Sequence, residues 1–128
     1  MERYDPEVAP IGSDWLALDE SVRIVLVEHY HRDARVSIPK AARRAHASIH
    51  VVVENQLALN DDPVVRAVLR LTKEGLSRHD AIHAIGSLVA ELIFDAVNLD
   101  DAPETSRVRY YAAVERLNAA AWRDESDG

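Results

Sequence analysis

The sequence predicts an all-α fold, a compact helical bundle of about five helices joined by short loops. Apolar residues recur at intervals of three and four along most of the 128-residue chain, which is the period of one face of a helix. No run alternates apolar and polar residues as a strand would. The 5 prolines and 4 glycines fall mainly between the periodic stretches, where they mark turns. A chain of this length supports a single core, so one helical domain is expected over 13–122.

The first two helices follow from apolar spacing and a proline. Trp15, Leu18 and Val22 begin a helical pattern that predicts a first helix over about 14–32, with a break near Asp19. A second helix is predicted over 39–58, because proline suits a first turn, where its missing N–H would be unpaired anyway.

The remaining helices are bounded by turn residues. Gly75 closes a third helix over 63–74 as a C-terminal cap. A fourth helix follows the cap Ser77 and ends near residue 98, and a turn then leads to a fifth helix over 103–122. Residues 1–12, with two prolines and few periodic apolar residues, predict an extended N-terminal arm. The acidic stretch 123–128 predicts a frayed tail.

Composition excludes several classes of function. A net charge of -7 argues against binding nucleic acid, since affinity for the phosphate backbone comes from lysine and arginine. The chain has no cysteine, so any metal must be held by nitrogen and oxygen ligands. It shows no apolar stretch near the roughly 20 residues that cross a bilayer and no basic leader before an apolar segment. A cytoplasmic protein without a membrane partner is therefore expected.

The six histidines form the pattern that points to function. They occur as near neighbours, in the pairs His29 and His31, His46 and His50, and His79 and His83. The last two pairs share the string His-x-x-Ile-His. Residues four apart lie one turn apart on the same side of a helix, so both imidazoles of a pair can reach one point. The sequence predicts that these two pairs meet across a helix seam and hold a divalent transition metal, zinc or iron in the first place, through His46, His50, His79 and His83.

Two further residues are candidates for the same site. Glu54 lies one turn beyond His50 and is the carboxylate best placed to move a proton, to serve as an additional ligand or to orient His50. Of His29 and His31 only one can face a common site, because residues two apart point to opposite sides of a helix. His29 is taken as the possible additional ligand.

A second class of function competes with the metal site. The histidines can instead line a seam in a non-catalytic interaction or structural module. Tyr110, Tyr111 and Trp122 of the last predicted helix would then cover a partner or a second copy of the chain, unless they pack in the core. A homodimer and an unidentified small-molecule ligand are the partners expected.

Four strings over residues 28–97 resemble a family of small bacterial proteins defined only as a domain of unknown function. They are "EHYHRD", "HASIHVVVENQL", "DDPVVRAVLRL" and "GLSRHDAIHAIGSLVAELIF". The resemblance rests on their order and on the "DDP" turn between the histidine helices. It implies a bacterial origin and an all-helical fold, and no activity.

Two better-defined classes share part of the pattern. Hemerythrin-like di-iron oxygen-binding bundles are similar in the order of His29, His50 with Glu54, and His79 with His83, but their final His-x4-Asp has no counterpart here. Helical phosphohydrolases are similar in an adjacent His and Asp. Their ligand set would fall on His46, His79, Asp80 and Asp95. Adjacent helical residues diverge by about 100°, which argues against that set.

Overall fold

The computed structural model describes residues 1–98 and 102–127, and in these residues the fold is all-α, as predicted. It has seven α-helices and no strand there. The helices are α1 (Gly12–Ala17), α2 (Glu20–Asp33), α3 (Arg43–Ala58), α4 (Asp62–Lys73), α5 (Arg78–Asn98), α6 (Pro103–Arg116) and α7 (Ala119–Asp127). A 3-10 turn, Lys40–Ala42, precedes α3.

Seven helices arise from five predicted ones because two are divided. The break expected near Asp19 separates α1 from α2, which confirms that prediction. The last predicted helix is divided at Leu117, whose ψ of 135° is extended. The side chain of Asn118 then accepts a hydrogen bond from the Ala121 N–H at 2.8 Å and caps α7. Helix α7 runs past the predicted end at Trp122. Residues 99–101 of the predicted turn and residue 128 lie outside the described part.

The caps around the start of α5 are those predicted. Gly75 lies just beyond the C-terminal end of α4. Its φ of +104° is a conformation that favours glycine and that terminates the helix. The Ser77 hydroxyl accepts a hydrogen bond from the Asp80 N–H at 3.0 Å, which satisfies one of the free donors of the first turn of α5. These two residues set the point at which the second histidine helix begins.

Helix α3 is the central element and packs against α2 on one side and α5 on the other. Two groups of buried apolar residues meet on it. One joins α3 to α4, α5 and α6, and includes Val53, Leu71 and Ile82. The other joins α3 to the N-terminal arm, α1 and α2, and includes Trp15 and Val51. Helix α3 thus carries its histidines between α2 and α5.

Gly86, one turn beyond His83, allows α3 and α5 to approach closely. A Cβ atom added at Gly86 would lie 3.1 Å from Cγ2 of Ile49, closer than most real Cβ contacts. The missing side chain brings the pair His46 and His50 on α3 opposite the pair His79 and His83 on α5.

The aromatic residues of the last two helices pack in the core. Tyr110 is buried, and Tyr111 and Trp122 are half-buried against the same cluster of apolar residues. The Tyr110 hydroxyl donates to Gln56 at 2.8 Å and the Tyr111 hydroxyl donates to Asp61 at 2.7 Å. Core packing therefore accounts for these residues. A homodimer remains a prediction.

Within residues 1–98 and 102–127, no helix combines the length and the apolar character needed to span a bilayer.

Candidate metal centre

Five of the six histidine side chains converge between α2, α3 and α5. We refer to His31, His46, His50, His79 and His83 as the histidine cluster. Their ring centroids are separated by 4.1 Å between His79 and His83 and by 5.9 Å between His31 and His83, and the other ring contacts fall between these values. The two His-x-x-Ile-His strings therefore meet across the α3 and α5 seam.

Four members of the cluster have the spacing of a metal site. His31, His50, His79 and His83 each offer a ring nitrogen, and the four nitrogens lie within 4.8 Å of one another. At a metal–nitrogen distance of about 2.1 Å, tetrahedral ligands are about 3.4 Å apart and opposite octahedral ligands about 4.2 Å apart. Ring rotations that move each nitrogen by up to about 1 Å would bring the set onto one ion.

The structure places a different histidine of α2 in the cluster from the one predicted. His29 is exposed and lies outside the cluster, whereas His31 is buried and belongs to it. Val22, which belongs to the helical pattern that predicted this helix, lies on the same side of α2 as Val25 and His29. Both valines are exposed, at 42% and 38%. The inward side of α2 carries Val27 instead, four residues before His31.

His46 comes to the cluster but lies at its edge. It is half-buried, and its Nε2 lies 3.2 Å from Nε2 of His31. Its ring centroid is 5.0 Å from that of His83. His46 falls outside the group of four whose nitrogens lie within 4.8 Å of one another, and His31 takes its place there.

The hydrogen bond of His31 determines which of its nitrogens faces the cluster. Nδ1 lies 2.9 Å from the carbonyl oxygen of Val27. A carbonyl oxygen only accepts, so Nδ1 carries the proton and Nε2 keeps its lone pair. A backbone carbonyl that holds the other ring nitrogen is the usual support for a metal-bound imidazole.

His50 is oriented by a chain of buried polar side chains. Its Nε2 lies 2.7 Å from the Tyr4 hydroxyl, and that hydroxyl donates to the Glu54 carboxylate. With its proton directed to Glu54, the Tyr4 oxygen accepts from Nε2–H of His50, which leaves the lone pair on Nδ1. Burial, followed by the charge of Glu54, raises the pKa of Tyr4, so the phenol stays protonated.

Glu54 supports the site from behind and does not face the cluster. It is 1% exposed, and its two oxygens accept hydrogen bonds from the Arg78 guanidinium, both at 2.8 Å. Both oxygens of this carboxylate are engaged by Arg78 or Tyr4, and neither belongs to the group of candidate ligand atoms. Of the roles considered for Glu54, only the orientation of His50 agrees with these contacts, and it acts through Tyr4.

The N-terminal arm supplies a wall of the site that sequence analysis missed. Tyr4 packs against Trp15 and His50, with ring centroids 5.5 and 5.3 Å away. The Pro6 carbonyl accepts from Arg78 at 3.0 Å, and Glu7 accepts from the backbone N–H of His79 at 2.8 Å. Tyr4 stands in a stretch without helical periodicity, so no pattern in the sequence signals its role.

Three ring nitrogens of the cluster are buried without a hydrogen-bond partner among the described residues. They are Nδ1 of His50, Nε2 of His79 and Nε2 of His83. A buried polar atom without a partner costs about 1–3 kcal/mol, and native proteins rarely contain several together. A single cation at the centre of the cluster would satisfy all three. The donor chemistry of the site thus fits a metal ion.

Burial also keeps these imidazoles neutral. It lowers the pKa of His50 to about 2 and that of His83 to about 3, together with the charges of the neighbouring histidines, which contribute less. Burial likewise lowers the pKa of His46 and His79, again with other members of the cluster contributing. At neutral pH the cluster therefore offers lone pairs to a cation.

These pKa shifts predict that the metal-free protein loses stability in mild acid. The pKa of His50 and His83 is lower in the folded chain than the usual value near 6.5, so the unfolded chain binds more protons below that pH. Stability is thus full above about pH 6.5 and falls, by about 1.4 kcal/mol per pH unit for each histidine, as the pH drops toward the folded values.

Urea denaturation of chelator-treated protein between pH 7 and pH 4.5 measures this slope. His83→Gln is expected to reduce the slope of stability against pH by the contribution of one histidine. His29→Gln, at an exposed position, is expected to leave the slope unchanged. A slope that His83→Gln does not alter would contradict the prediction.

The ligand sets of the two better-defined classes are not assembled. The hemerythrin-like set requires His29, which is exposed, and Glu54, whose oxygens are engaged by Arg78 and Tyr4. The phosphohydrolase set requires Asp95. That residue lies twelve positions beyond His83, about 18 Å along the helix, and pairs with Arg109 at 3.4 Å.

A pocket of about 290 Å³ opens on one side of the cluster. It lies along the α3 and α5 seam and exposes one edge of the histidine cluster to solvent. Its lining comprises His46, Ile49, His50, Ile82, His83, Gly86, Ser87 and Ala90. Apart from the imidazoles and one serine, these residues are apolar or lack a side chain. A small molecule can therefore approach the cluster from this side.

No protein-family model, curated protein or solved structure matches this chain, so the candidate site rests on the geometry alone and the resemblance to the bacterial family remains a prediction.

Proposed function

We propose that this protein binds one divalent transition metal ion through His31, His50, His79 and His83, with His46 as an adjacent fifth imidazole. The observation that carries the proposal is the group of three buried ring nitrogens without a partner among the described residues, all within the cluster. Hydrogen bonds to Val27 and Tyr4 hold His31 and His50 in the tautomers that direct a lone pair away from those bonds.

The ligand chemistry narrows the choice of metal. Imidazole nitrogen suits zinc, iron, nickel and copper, whereas calcium and magnesium prefer oxygen. Glu54, the carboxylate nearest in sequence to His50, is engaged by Arg78 and Tyr4, so the site is built from nitrogen. Zinc and iron are the first two ions to test.

The identity of the ion decides whether the site has room for chemistry. Four imidazoles complete the coordination of a tetrahedral zinc ion, which is the arrangement of a structural site. An ion that prefers six ligands retains open positions beside the same four imidazoles, toward His46 and the pocket along the α3 and α5 seam. If the ion prefers six ligands, the open positions extend the proposal to a metal-dependent enzyme.

Elemental analysis of the full chain, purified without a histidine tag, tests metal binding. We expect about one equivalent of a single transition metal, or its uptake when the chelator-treated chain is reconstituted with zinc or iron(II). A metal-edge anomalous map then identifies the element and its ligands. Less than about a tenth of an equivalent after reconstitution of a folded chain, or an ion bound outside the cluster, would overturn the proposal.

A further inference from the structure

A second pocket borders the histidine cluster at the C-terminal end of α2. It has a volume of about 570 Å³, within the range of small-molecule sites. Its walls include His31 together with three arginines, Arg32, Arg35 and Arg43. Glu28 is the one carboxylate among its described lining residues, and it lies 3.5 Å from Arg44. The pocket is therefore a positively charged site on a chain whose net charge is -7.

The three guanidinium groups are exposed and keep hydrogen-bond donors available for a ligand. Arg32 uses its Nε to contact Asp33 at 3.1 Å, and Arg43 uses its Nε to contact the Ile38 carbonyl at 3.3 Å. In both, the terminal NH2 groups have no partner among the described residues. The Arg35 side chain makes no hydrogen bond or ion pair within the described residues. A guanidinium group presents five donors in a planar fork that matches carboxylate and phosphate oxygens.

Arg35 occupies a backbone conformation that favours glycine. Its φ is +58°, at the reversal that follows α2, where the Val36 N–H donates to the His31 carbonyl at 3.0 Å. Glycine or asparagine is usual at this position of a helix end, because a Cβ atom is strained there. Asn60, the other residue in the described part of the chain that has positive φ and is not glycine, follows that rule. A long charged side chain held in strain at the rim of a pocket indicates a function for that side chain.

We propose that this pocket binds a small anion through a carboxylate or phosphate group. The anion would lie against His31, whose ring also belongs to the histidine cluster. The position beside an ion rests on the proposed function, whereas binding by the arginines does not. The expected ligand is thus a small organic acid or a phosphate ester, which would approach the metal centre from this side. This pocket is positively charged, whereas the pocket along the α3 and α5 seam is mainly apolar.

Calorimetric titration of the full chain as purified, at low salt, tests the proposal with two probes, inorganic phosphate and succinate. The metal content of the same sample is measured in parallel. Saturable binding of at least one probe is expected. Arg35→Gly is expected to weaken it at least about tenfold and to maintain or raise the melting temperature, because glycine relieves the strained φ. Arg116→Gln removes the same charge from an exposed position outside the pocket and should leave binding unchanged.

The outcomes separate the two proposals. Binding of phosphate alone assigns a phosphate group as the ligand, and binding of succinate alone assigns a carboxylate. A metal-free chain that binds either probe supports the anion pocket even if the metal site fails. A folded chain that binds neither probe overturns the anion pocket, as does Arg35→Gly binding with the affinity of the parent.

Discussion

Replacing His83 with alanine is expected to lower the affinity for the metal by at least about 100-fold, since loss of even an outer partner of a metal ligand costs 10- to 100-fold. His83 contributes a buried Nε2 that has no hydrogen-bond partner in the described part of the chain. Competition with a chromogenic chelator measures the affinity. The stabilisation that a metal confers, about 2.7 kcal/mol at a concentration 100 times Kd, should fall to about 0.4 kcal/mol or less at the same metal concentration.

His29→Ala is the matched control, because His29 is an exposed histidine on α2 outside the cluster. It should bind metal as the parent does. The metal-free forms of both variants should remain folded by circular dichroism, since Nε2 of His83 makes no hydrogen bond to any described residue that alanine would remove. If the folded His83→Ala variant bound the metal with the same affinity as His29→Ala, His83 would not be a ligand.

Replacing Arg78 with methionine is expected to destabilise the protein by about 3–5 kcal/mol, because it leaves a buried carboxylate without its charged partner. Glu54 is 1% exposed and the Arg78 side chain 14% exposed, and two hydrogen bonds of 2.8 Å join them. The variant also removes the donor to the Pro6 carbonyl. For a chain of this size the melting temperature should fall by roughly 10–20 °C, which calorimetry or thermal circular dichroism measures.

Arg66→Met provides the comparison at the surface. Arg66 also pairs with two groups, the carboxylates of Asp62 and Glu115, but its side chain is 50% exposed. Water screens such pairs, so the melting temperature should hardly change. Adding Glu54→Gln to Arg78→Met should restore part of the loss, because an amide carries no charge. If Arg78→Met lowered the melting temperature no more than Arg66→Met does, the ion pair between Arg78 and Glu54 would not stabilise the fold.

The helical elements and the pairing of the histidines follow from local rules that the sequence displays. Gly75 and Ser77 bound the loop before α5 because φ +104° and a capping hydroxyl are properties of those residue types. The four-residue spacing places His79 and His83 on one side of a helix whatever the surroundings. Gly86, one turn further, indicates the close approach to Ile49 that brings the two pairs together.

The composition of the site was decided by packing between elements. Periodicity shows which residues share a side of α2, but both sides carry valines, and only the contact with α3 selects Val27 and His31 over Val25 and His29. Tyr4 reaches His50 across 46 positions in the chain, and no local pattern encodes a contact of that separation.

By itself, the sequence determined an all-α chain with two helices that each present two imidazoles four residues apart, because helix geometry relates near neighbours. Tertiary structure alone decided that His31 joins them, that Glu54 is held by Arg78 and that the N-terminal arm closes the site through Tyr4. These contacts depend on which helix surfaces pack against each other and exclude water. Burial is a property of the assembled bundle, and the spacing of residues along one helix does not specify it.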